Sequence, residues 1–267
     1  MPDFASSLAI IKGYAKQILT YKAILFMEAA RLLIMPLIIA MAWLSVAENP
    51  SNPYNASDYI FYYLLVPLVQ LLTHARTVHV FSQAVRDGSL SRDLIKPYPV
   101  ISKYFLESAV YNFFKASFAL PLLLLGFLLA RGYISLESLT TKNLLCFLTA
   151  LFFAFLLRFC ISSAIGFAGF WLEDVVSLNL IFNGAAGTLM GGMVVPVETL
   201  PEGIRLFANF LPYKYMLGFP LEVLNGKSGS DALIFGFLMQ FLWTAVFYLI
   251  MKLVWSRGLK HYSAYGG

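Results

Sequence analysis

The chemistry in this sequence sits in ionisable side chains placed inside apolar runs. Arg158 lies near the middle of the run 144–171, and Lys115 lies well inside the run 104–130. Glu28 and Arg31 are three apart, so on a helix they share a face. His74, Arg76 and His79 fall toward the end of the run 59–80, expected to be its cytoplasmic end. A charge held in hydrocarbon is expensive, so each such residue is a candidate for a gate, a relay or a binding site. An ion pair of Glu28 with Arg31 or Arg76 would neutralise charge at an inner gate. Lys115 and Arg158 have no obvious deep acidic partner, since Glu107 lies two turns from Lys115, too far for an i,i+4 pair. Their long side chains either snorkel to an interface or face an anionic group such as a lipid phosphate or an acidic cargo. Asn179 and Asn183, at i and i+4, form a polar stripe that lines a cavity or bonds across helices.

A search for catalytic or metal-binding patterns finds nothing that converges. There is no HExxH, no paired Cys/His metal spacing and no GxSxG. Asn225, Gly226, Lys227 and Ser228 contain the GKS of a phosphate-binding loop, but that loop needs a glycine where Leu221 stands. The segment reads as a solvated turn. Cys146 and Cys160 fall in one run, about 21 Å apart along a helix, too far to bond to each other. The chain is not read as an enzyme, no metal site is expected, and no cofactor is expected to bind to it.

The elements that must position these residues follow from composition. The chain has 267 residues, of which 60% are hydrophobic and only 12% charged, with 16% aromatic. Mean hydropathy is +0.75. Soluble domains are about 25% charged, and no water-soluble fold of this size hides so much apolar surface. A cytosolic enzyme, a secreted disulfide scaffold and a disordered chain are excluded. An all-α, multi-pass membrane protein remains, as one transmembrane domain over 1–267. The first 22 residues are not a span: Phe4, Leu8, Ile11, Ile18 and Leu19 recur at helical spacing opposite Lys12, Lys16 and Gln17, which predicts an amphipathic interfacial helix. Six spans are expected, over 24–46, 59–80, 104–130, 144–171, 175–195 and 232–254. Glu173 and Asp174 would turn the fourth into the fifth as a hairpin, with one long broken run as the alternative.

Orientation follows from the basic residues. With the N-terminus cytoplasmic, the inner segments hold Lys12, Lys16, Lys22, Arg86, Arg92, Lys96, Lys103, Lys252, Arg257 and Lys260. The outer segments hold Arg131, Lys142, Arg205, Lys214 and Lys227. Both termini are therefore expected inside. Two connections exceed turns. The inner one, 81–103, mixes charge with Val85, Leu90, Leu94 and Ile95; Gly88 breaks it into two short helices, Ser89 or Ser91 caps the second, and Pro97 and Pro99 end it. It reads either as a rigid surface helix against which a motor domain pushes, through Val85, Arg86, Asp87, Gly88, Leu90 and Leu94, or as an ordinary solvated loop. The outer one, 196–231, is apolar and broken by Pro201, Pro212 and Pro220. It reads as short helices dipping into the membrane, serving as a lid or as a packing cap. Gly187 and Gly191 form a GxxxG that packs within the chain or at a seam between two chains, and Gly166, Gly169, Ser162 and Ser163 lighten the fourth span. The aromatics 59–63 read as an interface belt.

The order of these parts resembles a known family. It runs from the interfacial helix through Gly88-Ser89-Leu90 and Leu94-Ile95-Lys96-Pro97. It continues through Leu189-Met190-Gly191-Gly192, Pro196, Leu200-Pro201, Leu211-Pro212-Tyr213, Pro220 and Gly226. It ends in Arg257-Gly258 and a tail, 262–267, closing on Gly266 and Gly267. Nearly the whole chain thus resembles the permease subunit of type-2 ABC exporters, in the compact subfamily with a Gly-Gly tail. The resemblance implies two permeases, identical or paralogous, paired in a plasma or inner membrane. It implies a cytoplasmic ATPase pair that holds ATP and Mg, a coupling helix in 81–103, re-entrant external helices in 196–231, and exit of a hydrophobic or amphipathic substrate between the permeases. Lys115, Arg158, Asn179 and Asn183 would then line the translocation path, with membrane lipids as partners and no nucleic acid. The competing expectation is an ion-coupled secondary transporter with Glu28 as the ion carrier.

Overall fold

The structure, a computed structural model, describes residues 4–20, 22–45, 47, 53–134, 139–226 and 229–262. Lys227, Ser228 and the Gly-Gly tail at 263–267 lie outside the described residues. The described chain is helical throughout, with no strand among the described residues. In order the helices are α1 (Phe4–Thr20), α2 (Lys22–Leu44), α3 (Ala56–Thr73), α4 (Thr77–Arg86), α5 (Leu90–Leu94), α6 (Val100–Ala130), α7 (Thr141–Phe167), α8 (Val175–Asn179), α9 (Gly187–Met190), α10 (Glu202–Phe210), α11 (Gly218–Asn225) and α12 (Ser230–His261). A π-helical segment, Leu180–Ala186, joins α8 to α9.

Four helical stretches among the described residues are long and apolar enough to cross a membrane: Ala56–Arg86, Val100–Ala130, Thr141–Phe170 and Ser230–His261. The first and fifth expected spans correspond to α2 and to α8–α9, whose apolar stretches Ile34–Leu44 and Val175–Met190 are shorter. The turn at Glu173 and Asp174 does make a hairpin: Asp174 caps α8 by accepting from the Ser177 amide at 3.0 Å. At the other end of the fold, Asn55 and Asp58 close a reciprocal cap on α3, each side chain accepting from the other's amide.

The second expected span is not continuous. It breaks at 74–76, where His74 is extended, and resumes as α4 as far as Arg86. His74 and Arg76 therefore lie close to the middle of the 56–86 rod rather than toward its end, the position expected from the sequence. A break in hydrocarbon strands carbonyl groups, and neighbouring helices take them up here. Asn112 Nδ2 of α6 donates to the Leu72 and His74 carbonyls at 3.0 and 2.7 Å. Ser162 Oγ of α7 donates to the Ala75 carbonyl at 3.2 Å. The small face of α7 allows this approach: a Cβ on Gly166 would stand 3.1 Å from Val78 Cα.

The aromatics 59–63 are core residues, not an interface belt. Tyr59, Tyr62 and Tyr63 are at most 1% exposed. Their neighbourhood ends the fifth span at Met190, short of the expected 195: Tyr62 OH donates to the Gly192 carbonyl and Tyr63 OH to the Val194 carbonyl, both at 2.6 Å. Trp43 Nε1 joins at the Val194 carbonyl, 2.8 Å away. Phenol and indole donors satisfy a backbone that has left the helix, which explains why polar-tipped rings are buried there. A second aromatic cluster, Phe81, Tyr104, Phe167 and Phe170 with Trp255, packs the other end of the bundle.

Candidate functional site

The deep charges separate into two groups on opposite sides of the 74–76 break. In the first group, Lys115 of α6 is buried and its Nζ lies 3.0 Å from Glu28 Oε2 of α2. Tyr111, one turn away on α6, donates its hydroxyl to the same carboxylate. Arg76 stacks its guanidinium over the Tyr111 ring, 4.2 Å from the centroid, and donates to Tyr14 OH of α1 at 3.3 Å. The expected pairing of Glu28 with Arg31 or Arg76 is therefore replaced. Arg31 is exposed and makes no ion pair among the described residues. A buried ammonium has the strongest need for a counter-charge, and Lys115 takes the carboxylate. A cavity of about 310 Å³ opens beside this cluster, among Tyr14, Ile18, Leu25, Glu28, Arg76 and Tyr111.

The second group surrounds a cavity of about 220 Å³ between α3, α7 and the α8–α9 segment. Arg158 lines it together with Asn179 and Asn183, as do Gln70, His74, Ser162 and Thr188. Asn183 Nδ2 donates to Asn179 Oδ1 at 2.7 Å, so the expected polar stripe is a bonded pair. Both asparagines face the cavity from the π-helical segment or its edge; a π turn widens a helix and recurs at functional sites. Sequence reasoning joined Lys115 to Arg158 in one path, whereas the structure pairs Lys115 elsewhere and sets Arg158 in this cavity. Gln70 and Thr188 were missed because they sit in apolar runs with no spacing signal.

Of the two readings of Gly187 and Gly191, the structure shows contacts inside the chain. Gly191 is buried, and a Cβ there would run into the Gly187 carbonyl and approach the Tyr213 carbonyl at 3.2 Å. Gly187 faces the Tyr213 ring. The two glycines let α9 dock on the proline-broken segment at Tyr213, while Leu180, Ile181, Phe182 and Leu189 of the same stretch stay exposed.

The loop between α4 and α6 is a built structure. Gly88 adopts φ +70°, a left-handed conformation that other residues enter at about 1–2 kcal/mol. The expected cap from the Ser89 side chain is absent. Instead Asp87 Oδ1 accepts from the Ser89 amide at 2.9 Å, and Ser91 Oγ donates to the Gly88 carbonyl at 2.9 Å. Asp93 is ion-paired to both Lys96, at 2.8 Å, and Lys103 at the start of α6. Burial raises the Asp93 carboxyl, but the hydrogen bonds from these two ammonium groups outweigh it and hold it below the usual carboxylate range. Leu90 is fully buried in the Phe81–Tyr104 cluster, so it anchors the loop rather than facing outward. Val85 is half-buried, Arg86, Asp87 and Leu94 are exposed, and Ile95 is 84% exposed. Arg86 donates to the Glu173 carbonyl in the α7–α8 turn, and Ser91 Oγ lies 3.1 Å from Tyr262 OH past the end of α12. A cleft of about 870 Å³ separates these parts, with Trp171 and Leu172 on its rim.

The proline-broken segment forms α10 and α11. Lys214 Nζ meets the buried Glu222 Oε2 at 2.9 Å and donates to Asn209 Oδ1 at 2.8 Å. Gln240 of α12 fastens the segment to α7 by donating to the Tyr215 and Ala150 carbonyls, both at 2.9 Å. The Lys214–Glu222 pair has no signature in sequence spacing.

Long apolar helices around a broken span, with a polar cavity at Arg158 and a stiffened loop at one end, are the parts of a multi-pass membrane protein. A family model described as "ABC-2 family transporter protein" matches residues 17–266, and the chain belongs to that family. It is thus a permease of the ABC exporter type, a class that is typically non-catalytic and works with an ATP-binding cassette ATPase. No curated protein matches the chain.

Proposed function

We propose that this chain is one permease half of an ATP-driven exporter in a plasma or inner membrane. It has six spans, α1 lies in the interface, and both termini are cytoplasmic. Two permeases, identical or paralogous, form the core and open alternately between them, moving a hydrophobic or amphipathic substrate outward. ATP and Mg are held by a separate ATPase pair, which works the permeases through the loop 87–99. The segment 196–231 covers the outer exit.

The observation that supports this reading most directly is the stiffness of that loop. Buried Leu90, the Asp93 ion pairs and the Arg86 contact tie it to α4, α6 and the α7–α8 turn. A push on it is therefore passed to whole helices, while exposed Ile95 and Leu94 are left free to fill a cleft on a partner. Glu28, already paired with Lys115 and bonded by Tyr111, is better suited to holding helices together than to carrying an ion.

The test uses the exposed residue, because Leu90→Asp would disrupt the chain's own core. In mild detergent the chain should copurify with an ATPase encoded elsewhere. Ile95→Asp should leave the melting temperature unchanged while lowering ATPase retention or ATP-driven export at least tenfold. Full export by Ile95→Asp, or export driven by an ion gradient without nucleotide, would overturn the reading.

A further inference from the structure

The Arg158 cavity carries an inference that rests on the exporter reading and deepens it. We propose that this cavity binds the oxyanion head group of an amphiphile, a phosphate, sulfate or carboxylate borne on an apolar tail, as cargo or as a resident lipid.

Arg158 sits near the centre of a helical stretch, Thr141–Phe170, that is long enough to cross a membrane. Among the described residues it has no ion pair and no hydrogen bond, and no carboxylate lines the cavity. The polar groups beside it include no carboxylate: they are amides from Gln70, Asn179 and Asn183, hydroxyls from Ser162 and Thr188, and the imidazole of His74. A guanidinium cannot shed its proton as a way out, so an anion is the partner that its position calls for.

Among the described residues the chain does not supply that anion. Of its acidic residues only Glu28 and Glu107 fall inside the apolar runs 24–46 and 104–130. Glu28 is held by Lys115, and Glu107 lies 3.8 Å from Lys103 near the start of α6. A second copy of the chain brings the same two residues, both engaged. The size of the cavity narrows the class of ligand. At about 220 Å³ it falls below the roughly 300–1,000 Å³ of sites that enclose a drug-sized ligand, which suits a head group and not a whole amphiphile. The tail has an adjacent surface: Leu180, Ile181 and Phe182, on the π-helical segment that also carries Asn183, are 70%, 60% and 51% exposed. A polar pocket next to an apolar outer face is the arrangement a head and its tail require.

The experiment uses the full chain in nanodiscs of neutral lipid, without an ATPase. The probes are a fluorescent phosphatidic acid, a diacylglycerol with the same tails, and inorganic phosphate. The phosphatidic acid should bind at least tenfold more tightly than the diacylglycerol, and inorganic phosphate should compete only weakly. Arg158→Gln should abolish the preference and leave the weaker neutral binding intact, while Arg131→Gln, in an external turn, should change nothing. If Arg158→Gln fails to fold, Asn183→Asp replaces it; a carboxylate set in the same cavity should abolish the preference equally. Equal binding of the two lipids, or a preference that survives these variants, would overturn the site. Inorganic phosphate competing at parity with the lipid would overturn the amphiphile and leave a free oxyanion. No preference in the unmutated chain, with the ATPase still copurifying in detergent, would defeat this site alone, and an intact preference with no ATPase partner would defeat the exporter reading alone.

Discussion

Two cations near the middle of long apolar helices are treated in opposite ways. Lys115 is buried against α2, takes the Glu28 carboxylate at 3.0 Å and is framed by Tyr111 and Arg76. Arg158 faces a cavity of amides and hydroxyls with no carboxylate on its walls. The first arrangement is complete within the chain and holds α2 to α6. The second is incomplete, and its incompleteness is what points to a ligand. A deep charge is therefore not informative by itself; whether the fold provides its counter-charge decides between a structural and a binding role.

The sharpest way to break this contrast is to remove one partner of the complete site. Glu28→Gln should leave the Lys115 ammonium buried without a counter-charge and, because the Glu28 side chain is 38% exposed, cost up to about 3 kcal/mol, the low end for a buried pair, read as a lower melting temperature in detergent. The double variant Glu28→Gln with Lys115→Met should recover most of that loss. If the single and double variants melt together, the pair is not coupled. A smaller effect is expected at the break that separates the two sites. Asn112→Ala removes the donor to the Leu72 and His74 carbonyls and should cost about 1–3 kcal/mol, with faster amide exchange at 74–78 as its local signature. The smallest effect on stability is expected at the incomplete site. Arg158→Met removes a charge that nothing in the chain balances, so the melting temperature should stay within a few degrees of the parent or rise, while export falls. A large destabilisation by Arg158→Met would put Arg158 in the same class as Lys115 and dissolve the comparison.

The loop 87–99 shows how far sequence reading reaches into a connection between helices. Gly88 as a break, a short helix after it and a proline stop were legible, because each rests on local backbone chemistry, whereas the piece before Gly88 is the end of the 56–86 stretch and not a separate loop helix. That Leu90 points inward and Ile95 outward was not, since both are apolar and one turn of helix is too short to show a face. The tyrosines 59–63 misled in a similar way. Amphipathic rings suit a membrane interface and a buried backbone donor equally well, and only the arrival of residues 192–194 decides which.

Composition and hydropathy by themselves determined that this is a helical membrane protein, and proline and glycine placement marked most helix ends; local forces act over a few residues and leave their record there. The tertiary structure alone decided the break at 74–76, because no glycine or proline stands in it and the groups that stabilise it, Asn112 and Ser162, come from other helices. It alone decided that Glu28 belongs to Lys115 and that Arg158 has no such partner. Electrostatic attraction in a low-dielectric interior depends on distance through space, and distance along the chain does not report it.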